Sequence, residues 1–150
     1  MAEPFSIAVG VLSVLSTVTK LSIQFPQFVS AVRGAKDDIT GVRGELEAIS
    51  VSLAKLKESE RHIPEIFHKN IEELLSGCNV VLEGIYNQLR VIQASRAQSW
   101  RWTITGRSEL VRRKSSLEGY KSALSLLLLT CGLYILLSRR CRRCSGPFPC

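Results

Sequence analysis

The chain has 150 residues, of which 45% are hydrophobic, and a formal net charge of +7. That length and apolar share suit one globular domain with a sizeable core and exclude a disordered polar chain. The Met1-Ala2-Glu3-Pro4 opening puts an acid where a secretory signal needs basic residues, so the five cysteines read as thiols of a reducing cytosol rather than a disulfide framework.

The first element runs from Phe5 to Ile23, where nearly every residue is apolar or a small hydroxyl; Lys20 is the only charge between Glu3 and Arg33. Pro4 sits well at a helix start. Phe5, Ala8, Val11, Leu12, Leu15, Val18 and Leu21 follow the three-and-four spacing of one helix side, opposite Ser6, Ser13, Ser16, Thr17 and Lys20. A helix apolar nearly all round is either buried or enters a membrane. Phe5 to Thr19 is short for a span of about 20 apolar residues, so a buried or interfacial helix is predicted. Phe5, Val11, Leu12 and Leu15 are the residues that would meet lipid if this helix left its bundle.

In the second element Ile39, Val42, Leu46, Ile49, Leu53 and Leu56 form an unbroken a/d stripe. Arg43, Glu45, Glu47, Lys55, Lys57 and Glu58 lie between them as a solvated face, and Asp37 and Asp38 stand at the helix start, where the dipole favours acids. Gly41 and Gly44 each weaken an isolated helix by roughly 1 kcal/mol, so packing must stabilise it. Pro64 is read as the opening of a third helix, with Phe67, Ile71, Leu74, Cys78, Leu82, Ile85, Leu89 and Ile92 down one side.

Charge is uneven: residues 1 to 89 sum to −3, 90 to 121 to +6 and 122 to 150 to +4. The middle stretch holds Arg90, Arg96, Arg101, Arg107, Arg112, Arg113 and Lys114 around Trp100 and Trp102. It reads as a solvated connection whose tryptophans cover the end of the bundle; anionic lipid is the charged alternative, and no nucleic-acid signature accompanies it.

The last helix is predicted from near Ser108, with Leu110, Leu117, Leu124 and Cys131 seven apart and Tyr120, Leu127 and Tyr134 at the other core position. Ala123 to Leu137 carries no charge, and Leu126, Leu127, Leu128 and Leu129 are apolar on every side of the helix. Lys121 precedes this segment, and Arg139, Arg140, Arg142 and Arg143 follow it. It is either the last core helix or a membrane segment of about 25 Å, short of the ~30 Å of hydrocarbon unless flanking bases snorkel. Residues 1–138 are read as the bundle and 139–150 as a disordered basic tail. Within that tail Cys141 and Cys144 are candidates for lipidation; a structural zinc site would need four ligands, so no metal is expected.

Two groups of blocks carry a resemblance. The first comprises Glu3-Pro4-Phe5-Ser6-Ile7-Ala8, Phe28-Val29-Ser30-Ala31-Val32, Ala35-Lys36-Asp37-Asp38-Ile39 and Glu45-Leu46 leading to Leu53. The second is Trp102 and then Leu117-Glu118-Gly119-Tyr120-Lys121-Ser122-Ala123-Leu124-Ser125-Leu126. In their order and spacing, over roughly residues 1 to 127, they resemble the HeLo-like N-terminal domain of fungal STAND proteins, a family also catalogued as the azaphilone pigments biosynthesis cluster protein L N-terminal domain. The resemblance implies an all-α, HeLo-like bundle of about four helices and a non-enzymatic role as a membrane-perturbing cell-death effector or interaction module in self-recognition. The alternative is an accessory or regulatory protein of a secondary-metabolite cluster. Members usually continue into a nucleotide-binding switch domain or ankyrin repeats, whereas this sequence closes on Arg-Arg-Cys-Arg-Arg-Cys-Ser-Gly-Pro-Phe-Pro-Cys, which reads as a free-standing domain or a truncated coding sequence.

No phosphate-cradling glycine loop, nucleophile elbow or HExxH stands in the chain. His62 and His68 are six apart and do not share a helix face. The expectation is therefore no catalytic residue, no cofactor, no metal, no small-molecule substrate and no nucleic acid. The expected partners are a protein or a second copy docking through helices, or an anionic membrane.

Overall fold

The structure is a computed structural model that describes residues 6–144. It is all-α: four long helices form a bundle, with no strand among the described residues. The helices are α1 (Ser6–Ala31), α2 (Lys36–Ser59), α3 (His68–Ala94), the short α4 (Gln98–Arg101) and α5 (Arg107–Cys144).

The a/d stripe of α2 is buried in full, from Ile39 to Leu56. The core face of α1 is Ile7, Val11, Val14, Leu21, Phe25 and Phe28, continued by Val32 just past its end. This is a rotated version of the predicted face. Leu12, expected to pack, is 56% exposed, and Thr17, expected outside, is buried. Thr17 Oγ1 lies 2.8 Å from Asn79 Oδ1 and 3.2 Å from Glu83 Oε1 on α3. A partnered hydroxyl tolerates burial, and an apolar helix with no charged face sets no phase of its own. Pro26 stands within α1 on its exposed side, where its missing N–H costs the core nothing. Gly34, at φ +84°, takes the left-handed turn that separates α1 from α2.

Pro64 does not begin the third helix. It is extended (φ −59°, ψ 141°), and Glu60–His62 and Glu65–Phe67 form single 3₁₀ turns on either side before α3 starts at His68. The segment is needed as a crossing. α1 packs on α2 and α3, and α5 packs on the other sides of α2 and α3, so α2 and α3 stand across a diagonal. Leu75, not Leu74, carries the α3 stripe. Gly10 brings α1 against it, since a Cβ there would lie 2.9 Å from Leu75 Cδ1.

α5 begins at Arg107, but the helical chain starts earlier. α4 leads without a break into a π-turn, Trp102–Gly106, in which Arg107 N–H bonds Trp102 O. Trp102 is fully buried against Phe28 (centroids 5.3 Å apart, planes at 70°), whereas Trp100 is 66% exposed. One tryptophan, not both, covers the end of the bundle. Leu110, Leu117, Leu124 and Cys131 are buried as their seven-residue spacing predicts. The boundary expected at residue 138 falls inside α5, which continues as helix to Cys144.

Candidate functional site

The far half of α5 is where the fold leaves apolar surface uncovered. Arg107 and Lys121 pair with Asp38 and Glu45 on α2 at 2.9 and 2.7 Å, so α5 runs parallel to α2. Tyr120 reaches Gly77, and Arg113 reaches Gly84, so α5 runs antiparallel to α3. In this register α2 ends and α3 begins near α5 residues 129 to 134. The ring of Tyr134 meets Phe67 edge-on at 5.7 Å. Beyond it only Ile135 and Ser138 have reduced exposure, and Arg139, Arg140, Cys141, Arg142 and Arg143 are exposed.

Leu126, Leu129, Leu133, Leu136 and Leu137 are each more than half exposed. Their steps of three and four place them on one side of the helix. Leu124, Leu127, Leu128 and Cys131 turn toward the core instead. The four-leucine run thus divides by geometry: Leu126 and Leu129 face out, Leu127 and Leu128 pack in. Continuing the outer stripe by seven from Leu133 and Leu136 gives Arg140 and Arg143, so the leucine face ends in positive charge.

The residues proposed for α1 are distributed differently. Val11 is fully buried and Leu15 packs partly against the core, leaving Leu12 as the exposed one. Phe5 lies outside the described residues, and Cys144 is described only as the last backbone residue of α5. Val9 on α1 and Ile66 in the crossing are also exposed, a contribution the periodicity did not indicate. They share the end of the bundle occupied by Tyr134, because Gly10 abuts Leu75 and Phe67 abuts Tyr134.

Two helical stretches are long and apolar enough to cross a membrane, by length and composition alone. The most apolar 18-residue window has mean hydropathy 1.5 in Ile7–Ala31 and 1.7 in Gln98–Arg143, and 33% and 11% of the respective windows are buried. The first is a core helix of the bundle. For the second, Lys121 is not a free snorkelling base: its ion pair with Glu45, which is 15% exposed, ties the start of the apolar segment to α2.

Chemistry-bearing groups elsewhere are sparse. Burial pushes the Cys78 thiol up to about 11, which keeps it protonated and a poor nucleophile. His68 Nε2 is engaged with Ile63 O at 3.1 Å, and His62 is exposed. No cluster of three or more His, Cys, Asp or Glu suited to a metal occurs among the described residues. Comparison with family models, with curated proteins and with solved structures gives no match to this chain.

Proposed function

We propose that this chain is a non-enzymatic helical module that docks on an anionic membrane surface through the outer leucine face of α5. The supporting observation is the row of exposed leucines from Leu126 to Leu137 ending among four exposed arginines. An apolar helix face flanked by bases is the chemistry that lies in a lipid interface. Each Lys or Arg near an anionic surface adds about 1 kcal/mol. The helix lies in the interface plane rather than spanning: residues 123–137 measure about 22 Å as a helix, against ~30 Å of hydrocarbon. Leu124 and Cys131 also hold its inner side in the bundle.

This route needs no unfolding. Release of α1, the other apolar helix, together with Val32 just past its end would withdraw seven buried side chains, Ile7, Val11, Val14, Leu21, Phe25, Phe28 and Val32, from the core. At ~1.5 kcal/mol or more each this exceeds about 10 kcal/mol, comparable with the whole stability of a domain. The family resemblance of the sequence blocks agrees with a membrane-directed interaction module; the α5 face is the part that can act from the folded state.

Vesicle flotation of the full chain tests the reading. Binding to anionic vesicles is expected, with weaker binding to neutral ones. It should be lost in Leu129→Glu with Leu133→Glu and reduced by replacing the four arginines with glutamine. A folded double-glutamate variant that floats like the wild type would sink the proposal.

A further inference from the structure

A second feature lies where α3 passes the π-turn. Between them is a cleft of about 710 Å³, within the roughly 300–1,000 Å³ of small-molecule sites. Val91, Ile92, Trp100 and Ile104 give it apolar walls, and its charged lining residues are Arg101, Arg113 and Glu109.

Two glycines help shape it. A Cβ at Gly84 would overlap the Arg113 guanidinium, so glycine lets that side chain lie against α3. A Cβ at Gly106 would come within 2.8 Å of both Ile92 Cδ1 and Trp102 Cε3, so glycine lets the π-turn close on α3. Gln88, which is 9% exposed, donates from Nε2 to Gly106 O at 2.9 Å. That bond fixes the other end of the amide as the acceptor, and Gln88 Oε1 has no hydrogen-bond partner. Arg113 donates from Nη2 to Glu109 Oε1 at 2.7 Å, while its buried Nε also has none. Both atoms are closed off from solvent, on side chains that line the cleft, and a ligand in the cleft reaches them once the Arg113 and Gln88 side chains turn toward it. Buried polar groups left unpaired are costly, and sites that gather them suit a ligand of complementary pattern.

We propose that this cleft binds a small amphipathic anion: an apolar body with a carboxylate and, beside it, an N–H or O–H donor. The carboxylate accepts from Arg113 Nε with Arg101 nearby, the neighbouring donor bonds Gln88 Oε1, and the apolar body lies along Val91, Trp100 and Ile104. The site is distinct from the leucine face of α5, which begins 13 residues after Arg113, about 20 Å along the helix. It does not depend on the membrane reading.

The test uses the full chain labelled with ¹⁵N and follows the Trp100 indole N–H by NMR. N-decanoylglycine, kept below its micelle concentration, is the probe. Its N-methyl analogue lacks the donor, and decyltrimethylammonium carries the opposite charge on the same tail. A saturable shift of the Trp100 signal is expected with N-decanoylglycine. Binding should be several-fold weaker with the N-methyl analogue and undetectable with the cation. Arg113→Gln should weaken binding by about tenfold or more, the usual loss for a charge-assisted hydrogen bond. Arg101→Gln, at an exposed position, should weaken it less and keeps the test open if the first variant is unstable. A non-saturating shift, equal binding of the cation or of the N-methyl analogue, or unchanged affinity in both folded arginine variants would overturn the proposal.

Discussion

α1 and the far half of α5 are similar in apolar content, with mean hydropathies of 1.5 and 1.7 in their windows, yet 33% of the first window is buried and only 11% of the second. Hydropathy therefore does not separate them; the neighbours do. α1 lies between α2 and α3 along most of its length, so one whole side is covered. α5 has the same kind of partners only as far as about Tyr134, where α2 has ended and α3 is beginning. There its inner positions stay packed while the outer leucines have no helix to meet. An apolar helix that outruns its bundle is surface, and surface of that kind marks an interaction site.

The comparison can be broken by mutation. The largest contrast is expected between Phe25→Ala on α1 and Leu129→Ala on α5. Truncating a fully buried phenylalanine costs about 3–5 kcal/mol, whereas an exposed leucine should stay within ~0.5 kcal/mol. Urea unfolding measures both, and equal costs would mean that the leucine face is covered in solution.

Cys78, in the core that α1 helps to close, gives a pH signature. Its pKa is raised from 9.0 to about 11 by burial, so the folded state holds the proton more tightly than the unfolded chain. The stabilising contribution is complete below pH 9 and is lost as pH rises through about 11, a change of about 3 kcal/mol. Cys78→Ala should flatten the fall in Tm over that window; an unchanged slope would assign it to other groups.

Two glycines sharpen the contrast between covered and open surface. Gly77→Ala would drive a methyl into the Tyr120 hydroxyl and should destabilise by about 2 kcal/mol. Gly119→Ala meets nothing within 4 Å and should stabilise α5 by up to ~1 kcal/mol through helix propensity. Thermal melts of the two should therefore shift in opposite directions. The smallest effect is expected at the α1–α3 contact: Thr17→Val removes the hydroxyl facing Asn79 and Glu83 and should cost about 1 kcal/mol by denaturant titration. A stabilised variant would show that those two side chains are satisfied without Thr17.

Legibility varied with how sharply a helix divides apolar from charged residues. The α2 stripe was readable residue by residue because charged residues between its apolar positions set its phase. The same holds for Leu110 and Leu117, spaced seven apart among arginines and glutamates. α1 offered no such phase, and the exchange of Leu12 for Thr17 was decided by Asn79 and Glu83 on another helix. Leu74 and Leu75 are adjacent and chemically identical, so only the close approach at Gly10 chose between them. The candidate site was half legible: the leucine run and the arginines were visible, but their division into inner and outer faces was not. The cleft beside the π-turn left no sequence signal, because a π-turn has no periodicity and its wall comes from α3.

The sequence by itself determined the all-α class, the α2 and α5 core stripes and an apolar segment ending in arginines, since helical period and charge are local properties of the chain. The tertiary structure alone decided which face of α1 is buried, where α5 outruns its neighbours, and that Gln88, Arg113 and Trp100 line one cleft. Those outcomes depend on register between helices distant in sequence, which side-chain size, close approach at glycines and long-range polar pairs set together.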